Sequence, residues 1–188
     1  MLNNDQQKLL AFLASSAPGL VKVTSHMQFL ILHVQSSNLF ELASFLKRNQ
    51  QLRFDSLLDV WAVDYISHKD RFEVNYLFLS THNAMRIVVR TSVTDAEGLL
   101  SLSGIFKSAS WLEREVWDMF GVLFYENVDL RRILTDYGFE GHPLRKDYPL
   151  SGFVEVRYDD GDKRIVYEPL EVAQEYRSFS FRSPWSKS

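Results

Sequence analysis

No cysteine occurs among the 188 residues, so the chain has no disulfide, no thiolate nucleophile and no Cys-ligated zinc or iron–sulfur cluster of its own. Charge of one sign is scarce too: 21 Lys and Arg against 24 Asp and Glu leave a formal net charge of -3, which is no basis for a nucleic-acid surface. Apolar runs such as "FLILHV" stay far below the roughly 20 residues of a membrane-spanning helix. The opening "MLNNDQQKLLAFLASSAPGL" has one lysine and no arginine, so neither a signal peptide nor an Arg-rich transit peptide is expected there. There is no GxGxxG, GxSxG or HExxH, and the histidines at 26, 33, 68, 82 and 142 are scattered without metal-ligand spacing. "GFEG" at 138–141 lacks the strand and helix a nucleotide loop needs, and "DDGD" at 159–162 lacks the later glutamate of a calcium loop.

What is present is a globular composition, 46% hydrophobic and 14% aromatic, in a length suited to one domain with an appended arm. "NDQQKLLAFLA" at 4–14 predicts a short helix, and "LVKVTS" with "FLILHV" a strand pair. "NLFELASFLKRNQ" puts Leu39, Leu42, Ala43 and Leu46 on one helical face. "LLDVWAVDY", "RFEVNYLFLS" and "AMRIVVRTSV" predict three consecutive strands with short turns between them. In "TDAEGLLSLSGIF" the spacing of Thr94 and Glu97 is a helix-start signature, weakened by Gly98 and Gly104. Together these predict an α+β fold: a mixed, largely antiparallel sheet with helices on one face, over residues 1–125.

From Glu126 the texture changes, because four of the five prolines break any long period. The segment is nevertheless rich in Tyr, Phe and Trp, which disordered tails are not. Aromatic burial alone does not offset the ordering of so much backbone. The expectation is therefore an extended arm over residues 126–188, ordered against another polypeptide, with "FVEVRY" and "KRIVYE" as a hairpin.

In "SASWLEREVWDMFGV" Ser110 reads as the N-cap, with Glu113 completing a capping box and Gly121 ending the helix. Leu112, Val116, Met119 and Phe120 then form the apolar arc, with Glu113 inside it, while Arg114, Glu115 and Asp118 lie opposite around Trp111. Arg114 and Asp118 are an i,i+4 pair in the weaker order, so each is expected to serve a partner. A tryptophan beside an arginine is the makeup of an interface anchor. A hydrolase using Glu113, Glu115 and Asp118 is the competing reading; residues 113 and 115 point about 200° apart on a helix, which opposes it.

The stretches "WLEREVWDMFGV", "DLRRILTDYGFEGHPLRKDYPLSGFVEVRYD" and "EPLEVAQEYRSFSFRSPW" resemble the family of 30-kDa subunits of respiratory complex I, nearly continuously from Asp59 to Trp185. One departure is that Asn127, Val128 and Asp129 stand where the family often has His-Pro-Asp, ahead of the intact Arg131 and Arg132. The resemblance implies a non-catalytic subunit of the peripheral arm, with a C-terminal arm on the large quinone-site subunit of the 49-kDa type and iron–sulfur subunits nearby. It implies no cofactor on this chain, although the complex uses FMN, iron–sulfur clusters and ubiquinone. The location implied is the matrix side of the mitochondrial inner membrane, or the cytoplasmic face of a bacterial plasma membrane. A homologous subunit of a related membrane-bound hydrogenase or dehydrogenase is the alternative. The expected interface comprises Trp111, Arg114, Glu115 and Asp118 on the helix, and Arg131, Arg132, Tyr137, His142, Arg145, Lys146, Tyr148, Tyr176, Phe181 and Trp185 on the arm. The basic pair in "GHPLRKDYP" is placed to reach a carboxylate or a row of carbonyls.

Overall fold

Segments in which β-branched and aromatic residues alternate with polar ones become strands, since a strand sends successive side chains to opposite faces. The structure is a computed structural model that describes residues 12, 13, 15–26, 29–172, 174, 176, 177, 179 and 185. Strands β1 (Leu20–His26), β2 (Phe29–Val34), β3 (Ser56–Asp64), β4 (Phe72–Ser80) and β5 (Met85–Val93) form one sheet in the order β1-β2-β5-β4-β3. All neighbours are antiparallel except β2 and β5. The inward residues, among them Leu32, Val74, Phe78 and Ile87, are fully buried.

Helix α1 (Leu39–Arg48) lays Leu39, Leu42, Ala43 and Leu46 into this core, the face its periodicity predicts. Glu41 stands in its first turn and Lys47 and Arg48 in its last, each complementing the helix dipole. Helix α2 (Ala109–Phe120) adds Ala109 and Val116 to the same apolar cluster. The expected α+β layout, with helices on one face of a largely antiparallel sheet, is the observed one.

The helix suggested by Thr94 and Glu97 is absent. Those residues make only a turn, with the Glu97 amide donating to Thr94 O at 3.3 Å. The chain then runs as β6 (Leu99–Leu100), parallel to β7 (Phe124–Tyr125). Gly98 explains the preference: a Cβ there would stand 2.7 Å from Leu123 O and 2.8 Å from the Tyr125 ring, so only glycine permits the approach.

The chain divides into two compact units, Met1–Tyr148 and Pro149–Ser188. In the second, β8 (Val154–Asp159) and β9 (Arg164–Pro169) form the expected antiparallel hairpin, its turn tied by the Gly161 amide donating to Asp159 at 2.9 Å. Of the helix expected over 4–14, Phe12 and Leu13 are described and helical; most of it, and Phe181, lie outside the described residues.

Candidate functional site

The geometry of α2 is set by how its ends and its charged side are satisfied. It begins at Ala109, not after Ser110, and the preceding Ser108 hydroxyl donates to Leu57 O of β3 at 2.9 Å. The expected capping box is therefore not formed. Ser110 caps nothing, and Glu113 turns away from the helix start to accept from Ser101, the Leu102 amide and Asn127 at 2.6, 2.7 and 2.9 Å. The core offers Glu113 three donors beyond the helix, more than a cap provides.

The last carbonyls of a helix have no partner within it. Gly121, at φ 77, donates its amide to Trp117 O as the left-handed cap the sequence predicts. Residues 142–145 close the next three: His142 Nδ1 meets Asp118 O at 3.0 Å, the Leu144 amide Met119 O at 3.1 Å, and Arg145 Nε Phe120 O at 2.5 Å. A Cβ on Gly121 would stand 2.5 Å from Arg145 and 2.6 Å from His142, so glycine is also what lets this segment approach. Burial first, then the Arg145 and Arg132 charges, lower the His142 pKa against the pull of the Asp118 carbonyl.

Arg114 and Asp118, expected on an open charged face, are buried instead. The reason is residues 131–135, which lie against that face. Arg114 donates to the carbonyls of Arg131 and Arg132 at 2.9 and 3.1 Å. Asp118 accepts from the amides of Ile133, Leu134 and Thr135 at 3.0, 2.8 and 3.0 Å, from the Thr135 hydroxyl at 2.7 Å and from Arg132 at 2.8 Å. Burial by itself would raise the Asp118 pKa, but the Thr135 hydroxyl and the three amides hold this carboxyl well below the usual range. At neutral pH it is an anion holding a loop. Neither it nor Glu113 shares a cleft with Glu115, which is exposed. The three carboxylates do not converge, and the hydrolase reading fails on that geometry.

A second clamp was missed at the sequence level. Arg71 grips Asp64 with two 2.8 Å bonds and Asp147 at 2.8 and 3.0 Å, while the Lys146 amide donates to Asp64 at 2.8 Å. The guanidinium keeps both carboxyls below their ordinary range. Arg145 reaches Asp95 at 2.9 Å. These partners are up to 82 residues apart, and no local spacing announces them.

The residues expected at an interface thus separate into two sets. Arg114, Asp118, Arg132, His142 and Arg145 are bonded within the first unit, and Tyr148 is half-buried with its ring 6.0 Å from Phe139. Trp111, Glu115, Arg131, Tyr137 and Lys146 are exposed, Trp111 over the Arg114 guanidinium at 5.1 Å and Arg131 paired with Asp129 at 2.9 Å. In the second unit Tyr176 and Trp185 are exposed, and the Tyr176 hydroxyl bonds Ser151.

The β8–β9 hairpin has two unlike faces. Val154, Val156 and Tyr158 stand opposite Pro169, Tyr167 and Ile165 on one of them. The other carries Glu155, Arg157, Arg164 and Glu168, with Arg157 donating twice to Glu168 at 2.6 and 3.2 Å. The apolar face is open: Val156 is 58% exposed, Tyr158 59% and Ile165 61%.

A family model described as the 30 Kd subunit of respiratory-chain NADH dehydrogenase matches residues 32–154. The chain belongs to this 30-kDa subunit family. It is 58% identical over 149 residues to NADH dehydrogenase [ubiquinone] iron-sulfur protein 3 of Beta trigyna, covering 79% of this chain and 78% of the relative. To NADH-ubiquinone oxidoreductase subunit 9 of Reclinomonas americana it is 54% identical, over 84% of this chain and 78% of that one. An NADH-quinone oxidoreductase subunit of Mesorhizobium japonicum is 51% identical, over 83% and 78%. A chain of the membrane-bound sulfane sulfur reductase, an archaeal respiratory membrane complex, has the same fold, with TM-score 0.67 at 22% identity over 78% of this chain and 87% of that one.

The plant relative's name speaks of an iron–sulfur protein, but this 30-kDa-family chain has no cysteine to hold a cluster. Among the described residues no group of three or more His, Cys, Asp or Glu is placed to hold a metal ion. The donor set does not fit such a group. No helix of the described residues is long and apolar enough to cross a membrane.

Proposed function

We propose that this chain is a non-catalytic structural subunit of the peripheral arm of NADH:ubiquinone oxidoreductase, holding the quinone module together while electrons pass from NADH to ubiquinone and protons are translocated. The observation that carries the reading is the hairpin, whose apolar face at Val154, Val156, Tyr158 and Ile165 stands open on a two-stranded element. Two strands alone are marginal in water, and an ordered apolar face of this size calls for a second surface. Its partner in this reading is the large quinone-site subunit of the 49-kDa type, with the iron–sulfur subunits as neighbours. Relatives at 51–58% identity named as NADH dehydrogenase or oxidoreductase subunits favour this complex over a related hydrogenase. The position that follows is peripheral, on the matrix side of the mitochondrial inner membrane.

The test is a paired substitution, Tyr158→Ser with Ile165→Ser, across one cross-strand pair. Folding of the chain is expected to change by less than about 0.5 kcal/mol, as for exposed positions. Incorporation into the complex, read on native gels, is expected to be lost. Full incorporation with unchanged NADH:quinone turnover contradicts the assigned role of this face.

A further inference from the structure

Helix α2 buries a second carboxyl besides Asp118, in surroundings of a different kind. Glu113 is 0% exposed and Ser101 4%. Glu113 Oε2 lies 2.6 Å from Ser101 Oγ, and Ser101 Oγ lies 2.7 Å from Ser103 Oγ while accepting the Ser103 amide at 3.1 Å. Ser103 is half-buried and Gly104 is exposed, so the row leads from the core toward solvent. A serine hydroxyl has one proton to donate. Ser101 therefore donates either to Glu113 or to Ser103, never to both, and the row has two directions.

We propose that Glu113, Ser101 and Ser103 form a reversible proton relay, through which the buried carboxyl exchanges with solvent and makes the seam joining α2, the 101–103 turn and Asn127 sensitive to pH. With Glu113 protonated, its O–H donates to Ser101, Ser101 to Ser103, and Ser103 outward. On release the acid proton passes to Ser101 Oγ, the Ser101 proton to Ser103 Oγ, and the Ser103 proton to water. Each oxygen breaks one O–H bond, and each serine forms one in exchange. The result is the opposite direction, with Ser103 donating to Ser101 and Ser101 to the carboxylate. The Leu102 amide and Asn127 donate to Glu113 in both states.

Among the described residues no cation is bonded to Glu113, and its anion is held by neutral donors alone. From β4, the buried Tyr76 hydroxyl has no hydrogen-bond partner among the described residues, and burial with the Glu113 charge pushes its pKa up, so the phenol stays neutral and brings no charge to the site. The turn after β6 and Asn127 after β7 supply only neutral donors. On α2 itself Arg114 is directed to the Arg131 and Arg132 carbonyls and Asp118 to residues 132–135. Burial thus raises the Glu113 pKa, with the bonds from Ser101, Leu102 and Asn127 only moderating the rise.

A carboxyl raised in the folded state stabilises the fold fully below its ordinary value of 4.5, and that contribution fades as pH rises through the folded value. The full chain is to be unfolded in urea between about pH 5 and 8, where each extra proton bound by the folded state moves the unfolding constant by up to about tenfold per pH unit. Glu113→Gln is expected to remove that slope relative to the wild type. Ser101→Ala, which deprives the anion of a donor, is expected to move the midpoint upward. Equal slopes in wild type and Glu113→Gln, or an unmoved midpoint in Ser101→Ala, overturn the proposal. If the glutamine variant does not fold, carboxyl NMR of wild-type chain labelled at glutamate decides: one resonance titrating above the rest supports the relay, and none overturns it. The relay goes beyond the assembly role and is independent of which partner covers the hairpin.

Discussion

Residues 126–148 and the β8–β9 hairpin belong to one stretch of similar texture, irregular, proline-punctuated and aromatic, yet they are ordered by opposite means. The first directs its amides, its arginines and a histidine onto α2 and the sheet: three amides and a hydroxyl converge on Asp118, three groups close the helix end, and Asp147 meets Arg71. The hairpin satisfies its backbone by strand pairing and its charges by pairs such as Arg157 with Glu168, leaving its apolar face to solvent. The difference teaches that an irregular segment gains a fixed path from buried anions and helix ends, whereas a regular one still needs a surface for its side chains.

The largest effect expected from this contrast is on truncation. A chain ending at Tyr125 strips Asp118 of every side-chain partner and leaves a buried carboxylate bare, so cooperative unfolding by circular dichroism is expected to vanish. A chain ending at Tyr148 keeps those bonds and is expected to unfold in a single sigmoidal transition. Equal behaviour of the two would erase the contrast and make 126–148 as dependent on a neighbour as the hairpin.

Next in size is Asp118→Asn, which turns an amide nitrogen or a single weak acceptor toward donors that need an anion. A loss of about 3 kcal/mol is expected, the usual cost of breaking a buried ion pair. The pH profile sharpens it. Because the Asp118 pKa is lowered by folding, its contribution is present above the unfolded-state value and is lost as pH falls through the folded one. Wild type is therefore expected to lose stability on acidification, and Asp118→Asn to lose less, in urea titrations at each pH.

The smallest effect is at Trp111, 64% exposed and held by the Arg114 guanidinium. Trp111→Ala is expected to cost the chain no more than about 1 kcal/mol, the scale of an exposed cation–π contact. A modest loss of partner co-purification at unchanged melting temperature would put Trp111 with the hairpin, among surfaces turned outward. A large fall in melting temperature would place it with Asp118.

The helix wheel located Arg114, Glu115 and Asp118 on one side of α2, correctly as angles, and then left that side open to a partner. Angle is local; what covers it is not. The covering residues 131–135 follow the helix by more than ten positions, and no period links them to it. Glu113 failed as a cap for the same reason, since Ser101 and Asn127 outcompete the helix start from opposite directions in the chain. The row "HPLRK" was legible in part: Arg145 does reach a carbonyl, Phe120 O at the end of α2, and a carboxylate, that of Asp95.

The sequence by itself determined what nearest neighbours decide: the alternation that makes β1 to β5, the buried face of α1, the Gly121 terminus of α2, the hairpin, and the lack of any thiolate for a cluster. Only the tertiary structure decided which charged groups turn inward. Burying Arg114, Asp118 or Asp64 is favourable only where partners arrive together, and those partners come largely from distant positions that meet when the chain closes on itself.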